Sequence, residues 1–366
     1  MEILIIGAGA IGRHHATAIR KHVASESANV AVADPSSQAL EQFLAEFPDV
    51  LAFSDVAEAV GRPAGEDDIS IVAAPPSAHC ELTIAALASG RHVLCEKPLA
   101  LDVAEARQML AAARRNGRLL GCCSARLVSV PGTQEVKRLI AAGAIGEPYH
   151  VTWISRLHRA RAGVEYQPSS RWFLDRSKNG GGILQDWGPY DFSALNELFE
   201  PDRVEVLSAF CANPETALPD LQPGTVFDVE QHVGASLRYH PRAGAPLIVT
   251  YERAACTHGT ESSLVEVEGS KGALTWDWLD WAGLGEVRLT TDEGGRSVTE
   301  TITVPVEPNV IVHDRPLLGF LAAVEGLESK SVLNDQAVFN FACVRAIYDC
   351  VTSGRPQDVS AAVSAA

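Results

Sequence analysis

The chain has 366 residues, 46% of them hydrophobic and 21% charged. This composition excludes a largely disordered protein and, at about 100–200 residues per domain, points to two domains. With 30 Lys and Arg against 46 Asp and Glu, the formal net charge of −16 argues against nucleic acid or an anionic membrane surface as a partner.

In chain order, residues 3–6 read as a buried strand, 11–22 as a helix, 30–33 as a second strand and 36–47 as a second helix. The alternation continues with strands at 69–73, 92–96 and 119–123 and helices at 79–89 and 103–116. Strands separated by helical patterns predict a parallel sheet with helices on both faces. After about residue 145 the texture changes. Strands are predicted at 149–157, 204–211, 229–239, 247–254, 264–267, 273–276, 287–290 and 298–304. Short connections rich in Gly, Pro and Asp make this a mainly antiparallel sheet. Helices at 315–326 and 336–353 close the chain, and the tail 360–366 reads as frayed. The domains expected are 1–123 and 124–366, with the helix 336–353 able to pack back on the first.

Eight cysteines include no Cys-x-x-Cys, and the one close pair, Cys122-Cys123, is adjacent. They read as reduced thiols rather than a zinc ribbon or a disulfide framework. No His, Cys and Asp cluster has ligand spacing, so no metal is expected. The N-terminus has no basic leader, and no apolar run approaches the ~20 residues that span a bilayer. The expectation is a soluble cytoplasmic protein.

Gly7-Ala8-Gly9-Ala10-Ile11-Gly12 is G-x-G-x-x-G between an apolar strand and a helix, the context that gives the motif meaning. Gly7 permits the tight turn, Gly9 lets the backbone approach a pyrophosphate at a helix N-terminus, and Gly12 allows close packing of helix on strand. Asp34 ends the second strand 22 residues past Gly12. An acid there accepts hydrogen bonds from ribose hydroxyls and repels a 2′-phosphate, and no Arg or Lys follows in Pro35-Ser36-Ser37. NAD is therefore expected in preference to NADP.

Three further segments carry a resemblance: Ala74-Pro75-Pro76-Ser77-Ala78-His79, then Cys95-Glu96-Lys97-Pro98, then Gly180-Gly181-Gly182-Ile183-Leu184-Gln185-Asp186-Trp187-Gly188-Pro189-Tyr190-Asp191. With the glycine fingerprint they resemble the glucose–fructose oxidoreductase / inositol dehydrogenase / MocA family over nearly the whole chain. The resemblance implies an α/β protein: an N-terminal Rossmann domain with a parallel sheet, then a C-terminal α/β domain with a large open sheet. It implies a homodimer or homotetramer, and a hydride moved between NAD and a secondary alcohol or hemiacetal of a sugar or cyclitol. It also implies a cis Lys97–Pro98 bond. Ala74, Pro75, Glu96 and Lys97 would be among the cofactor-binding residues, with Glu96 holding Lys97 or facing the ribose. His79 either lies near the nicotinamide side or makes a structural hydrogen bond.

Oxidation of an alcohol requires a base for the hydroxyl proton. Where most of the family has His, this sequence has Tyr190, which resembles a tyrosine-type branch. A phenol with a pKa of ~10 becomes a useful base near neutral pH when a cation lowers it. Tyr190 is thus the candidate general acid/base, Lys97 its electrostatic partner and Asp186, four residues before Tyr190, the anchor for a substrate hydroxyl. Trp172 and Trp187 could stack on a sugar ring. The family's usual Trp-Arg appears here as Arg171-Trp172-Phe173, which leaves that arginine's role open between Arg171 and Arg176. The basic run Arg156-Leu157-His158-Arg159-Ala160-Arg161 suits an anionic group on the substrate, a solvated edge or a subunit contact. Two other function classes stand beside the dehydrogenase. One is a glycoside-cleaving enzyme with tightly bound NAD in a transient redox cycle, and the other a non-catalytic NAD sensor.

Overall fold

The first apolar run of the chain becomes a central strand, because Ile3–Ile6 are buried on both faces. A computed structural model describes residues 1–159, 168–215, 224–279 and 285–361. The chain begins with β1 (Glu2–Ile6), α1 (Ala10–His22), β2 (Asn29–Ala33), α2 (Ser37–Glu46), β3 (Leu51–Phe53) and α3 (Val56–Val60). It continues with β4 (Ile69–Val72), α4 (His79–Ala88), β5 (His92–Cys95), α5 (Val103–Asn116) and β6 (Leu120–Cys122). Next come α6 (Pro131–Ala141), β7 (Pro148–Arg156), α7 (Arg176–Asn179), α8 (Ile183–Phe199), β8 (Pro201–Ala212), β9 (His232–Pro241) and β10 (Leu247–Ala254). The meander β11 (Ser262–Gly269), β12 (Gly272–Trp276), β13 (Glu286–Asp292) and β14 (Ser297–Thr303) follows. The chain closes with α9 (Arg315–Val324), β15 (Val332–Leu333), α10 (Asn334–Ser353) and β16 (Gln357–Ser360).

These elements form two compact units, Met1–Arg126 with Asn309–Val338, and Leu127–Pro308 with Phe339–Ala366. The chain passes between the units after residues 126, 308 and 338. In the first unit the sheet order is β15-β6-β5-β4-β1-β2-β3. All pairings are parallel except β15 with β6, so the expected parallel sheet gains an antiparallel edge from the C-terminal third. Phe320 of α9 packs where a side chain at Gly121 would sit, which draws α9 into this unit. The α5 signal was legible because Asp102 caps Glu105 N and Gly117, at φ +60°, ends the helix.

In the second unit the order is β14-β13-β12-β11-β7-β10-β9-β8-β16. Only β7 with β10 runs parallel. Strand β7 alternates: Val151, Trp153 and Ser155 are buried, and Trp153 meets α8. The opposite face carries the cross-strand row Phe210, Gly234, Glu252, Ile154 and Leu264. The strand predicted from 229 begins instead at His232, because Glu230 turns aside to bind the start of α8. Residues 339–353 of α10 pack within this unit, where Val344 lies against Gly188 and Asn340 bonds Asn196 and Ser193. Of the tail expected to fray, Ser360 is the last residue of β16 and pairs with Arg203 of β8. Residues 362–366 lie outside the described residues.

Candidate active site

In the first unit, the turn after β1 is built as a cradle. Gly7 takes φ +113°, and a Cβ on Gly12 would overlap the Gly7 carbonyl oxygen. Gly9 is different: a Cβ there would meet nothing within 4 Å. Gly9 and Ala10 are exposed, Ile11 is half-buried, and the first turn of α1 has neither a side-chain cap nor an acidic residue. An uncapped helix start facing open space suits a pyrophosphate. The Asp34 carboxylate closes the rim of the turn, accepting from Ala8 N with Oδ2 and from Ser36 N with Oδ1, each at 2.8 Å. These residues fit a dinucleotide with a free ribose diol.

Glu96, Lys97 and Pro98 follow β5 at its carboxyl end, and the Lys97–Pro98 bond is cis. Lys97 is half-buried. The Glu96 side chain turns inward. Its Oε1 accepts from His15 Nε2 and Arg126 Nη2, both at 3.0 Å, and Oε2 accepts from Lys97 N at 3.1 Å. Burial alone would raise its pKa, yet Arg126 and His15 hold it far below the usual carboxylate range. Cys123 Sγ lies 4.0 Å from His15 Nε2, so His15, Glu96 and Cys123 form one group of possible metal ligands among the described residues. The Arg126 guanidinium already occupies the carboxylate that a cation would need. His79 is fully buried, and its ring nitrogens lie 2.8 Å from the carbonyls of Pro98 and Ala74. It therefore ties the turn after β4, at Ala74 and Pro75, to the Lys97–Pro98 loop. Burial lowers the His79 pKa, and the two carbonyls act in the opposite sense.

In the second unit, Asp186 and Tyr190 stand one turn apart on α8, 1% and 4% exposed. Asp186 shares a small cleft with Phe173, Leu174, Asn179, Val229 and Gln231. The helix start is capped from outside. Glu230 accepts from Gly182 N at 2.9 Å, Leu184 N at 3.1 Å and Tyr348 Oη at 2.6 Å. Ile183 N donates to the Glu230 carbonyl at 3.0 Å. A Cβ on Gly182 would overlap that carbonyl, and one on Gly181 the Tyr348 hydroxyl, which accounts for the glycine run. Trp187 sets its ring edge-on to Tyr190, with centroids 5.8 Å apart. Trp172 stacks on Phe173 at 4.0 Å.

Of the basic run, the described residues Arg156 and His158 do not line this cleft. Arg156 projects from the sheet face opposite α8, where Nε lies 3.3 Å from Glu252, itself 2.7 Å from His232 Nε2. His158 is exposed and held by Glu261 and the Thr257 carbonyl. Arg161 lies outside the described residues. Arg176 reaches Glu230 at 3.6 Å and so belongs to the helix cap.

Sequence reasoning passed over His15, Arg126, Glu230, Tyr348, Asp191 and Arg253. For Arg253 a signal existed: it falls in phase with the inward positions Leu247, Val249 and Tyr251 of its strand, and a buried charge implies a partner.

Residues 1–123 match the oxidoreductase family with an NAD-binding Rossmann fold, and residues 133–275 match the GFO/IDH/MocA C-terminal domain. Inositol 2-dehydrogenase of Streptomyces avermitilis is 34% identical over 302 residues, 78% of this chain and 85% of its own. The 1,5-anhydro-D-fructose reductase of Ensifer adhaerens is 27% identical over 308 residues, 84% and 83% of the two chains. Levoglucosan dehydrogenase, solved with NADH and levoglucosan, superposes with a TM-score of 0.77 at 20% identity, covering 98% of this chain and 99% of that one. Among the described residues no helix is long and apolar enough to cross a membrane. With a nucleotide cradle in one unit and the capped Asp-x-x-x-Tyr helix in the other, the chain belongs to the Gfo/Idh/MocA family of NAD-binding oxidoreductases.

Proposed function

We propose that this oxidoreductase acts on a secondary alcohol or hemiacetal carbon of a neutral polyhydroxylated ring, a sugar, anhydrosugar or cyclitol. The reading rests on one observation: Asp186 and Tyr190 share one face of α8 and are almost fully buried, with Asp186 lining a cleft. NAD, when bound, supplies the hydride acceptor. Tyr190 takes the proton from the reacting hydroxyl and returns it in the reverse direction. Lys97, half-buried at the end of β5, is assigned as the cation whose ammonium would favour a phenolate. Asp186 accepts a hydrogen bond from a neighbouring ring hydroxyl and fixes which carbon reacts. Neutral substrates are favoured because Arg156, the first residue of the basic run, is paired with Glu252 on the sheet face away from α8. That far face, with Phe210 48% and Leu264 41% exposed, is where copies of the chain meet in a homo-oligomer.

The test is absorbance at the NADH band, with NAD and NADP offered against aldoses, anhydrosugars, cyclitols and glycosides. Net NADH growth with one class supports the reading. Lys97→Met and Tyr190→Phe should each lower kcat by about 10²-fold or more. Full activity in both variants would overturn the residue assignment. Free sugar released from a glycoside without net NADH would replace it with the transient-redox reading.

A further inference from the structure

We infer that Arg253 is a positioning residue for Tyr190, acting through Asp191 and Trp187 to fix how α8 presents the phenol. The inference rests on Tyr190 being the acid/base group proposed above. Asp191 follows Tyr190 directly and is fully buried. Its Oδ1 accepts from Trp153 Nε1 at 2.9 Å and from Arg253 Nη2. Its Oδ2 accepts from Tyr251 Oη at 2.8 Å and from Arg253 Nε at 3.1 Å. Each oxygen therefore takes two donors, and all three donor residues stand on β7 and β10. A bidentate guanidinium permits only one approach of the carboxylate, so the rotation of α8 about its axis is set by these bonds.

The same guanidinium has a second contact. It lies over the Trp187 ring, 4.9 Å from the centroid, and near the Trp278 ring at 5.6 Å. Trp187 in turn meets Tyr190 edge-on at 5.8 Å. Arg253 thus touches the residue after Tyr190 and the aromatic ring beside it, but through different surfaces of one side chain. Adhesion alone does not explain this arrangement. A buried ion pair holds two elements together no better than apolar side chains of the same size do. What the fork adds is direction, and the group it directs is the turn that carries Asp186, Trp187 and Tyr190.

The test uses the full chain labelled with 3-fluorotyrosine, whose six tyrosines give separate fluorine resonances. Tyr190→Phe assigns the Tyr190 signal. Arg253→Lys keeps the cation but loses the fork. It should shift or broaden the Tyr190 resonance, leave those of Tyr149 and Tyr348 in place, and lower kcat at least tenfold. KM should stay within threefold and NADH affinity unchanged. Trp187→Phe should also move the Tyr190 signal, and Arg253→Lys with Trp187→Phe together should give less than the sum. A folded Arg253→Lys protein with an unmoved Tyr190 resonance overturns the inference, as does a moved resonance with unchanged kcat or a strictly additive double variant. If Arg253→Lys does not fold, Asp191→Asn with Arg253→Gln removes both charges while keeping an oxygen to accept from Trp153 Nε1 and an amide nitrogen to donate to the Tyr251 hydroxyl, and the same resonance decides. An active Tyr190→Phe enzyme would count against the proposed function, whereas the fluorine shifts report on positioning alone.

Discussion

The Glu230 carboxylate lies 2.9 Å from the amide nitrogen of Gly182, and it serves the start of α8 as a cap supplied by a distant segment. A local cap residue would have needed a Cβ at position 182, where the Glu230 carbonyl leaves no room. Glu230→Ala strips a buried acceptor from Gly182 N, Leu184 N and the Tyr348 hydroxyl. The expected cost is about 2–4 kcal/mol in urea unfolding. Glu230→Gln keeps one acceptor and should cost less. Equal losses in the two variants would mean that the bonds to Glu230 contribute little.

Gly9 and Gly12 should separate cofactor binding from folding. A Cβ on Gly9 meets open space, so Gly9→Ala should leave the free energy of urea unfolding within about 1 kcal/mol of wild type. Its methyl would stand where a pyrophosphate approaches, and NADH affinity should fall at least tenfold. A Cβ on Gly12 overlaps backbone, so Gly12→Ala should destabilise the first unit by about 3 kcal/mol. Fluorescence titration with NADH beside urea unfolding reads both. A Gly9→Ala protein that binds NADH normally would remove the pyrophosphate from this turn.

Asp34 offers a specificity test. Its carboxylate is held by Ala8 N and Ser36 N, and its charge disfavours a 2′-phosphate. Asp34→Ser should weaken NADH binding by about tenfold, roughly 1.4 kcal/mol. It should improve the relative binding of NADPH. An unchanged ratio between the two nucleotides would show that Asp34 serves only the turn.

The first unit was legible because its signals are local. An apolar run, a glycine turn and an acid at the next strand end lie within 34 residues, and the α5 bounds, Val103–Asn116, follow from Asp102 and Gly117. The antiparallel partner of β6 was not legible, because Val332–Leu333 is too short to carry a period and joins the sheet through a pairing 210 residues away. The site divides in the same way. Asp186 and Tyr190 could be placed on one helix face by their spacing. Glu230, Tyr348 and Arg253 reach α8 only through tertiary contacts, and no spacing in the chain announces those. Arg156 shows the limit of a charge run: strand alternation sets it on the face away from α8, and Glu252 takes its charge.

Acid should weaken the first unit in two stages. Burial first, then the Arg126 guanidinium and the facing His14 ring, hold His313 at about 3, well below an ordinary imidazole. Between about pH 6.5 and 3 the unfolded chain binds a proton at this position that the folded chain refuses, so stability falls as pH falls through that window. Glu96 acts in the same sense lower down. Its carboxyl is depressed by Arg126 and His15 despite burial, so the stability it contributes is full above its unfolded pKa of about 4.5 and is lost as pH drops toward the folded value. Urea midpoints from pH 7.5 to 3.5 should therefore decline from about pH 6.5 and steepen below about 4.5. His313→Gln should make the upper part of the curve shallower, with His14, His79 and His92, whose pKa values burial also lowers, carrying the rest, and should leave the lower part. Glu96→Gln should flatten the lower part while costing about 3–5 kcal/mol at pH 7, because it leaves the Arg126 guanidinium buried without its counter-charge. A wild-type midpoint that stays constant from pH 7 to 4 would mean that neither group titrates differently on folding.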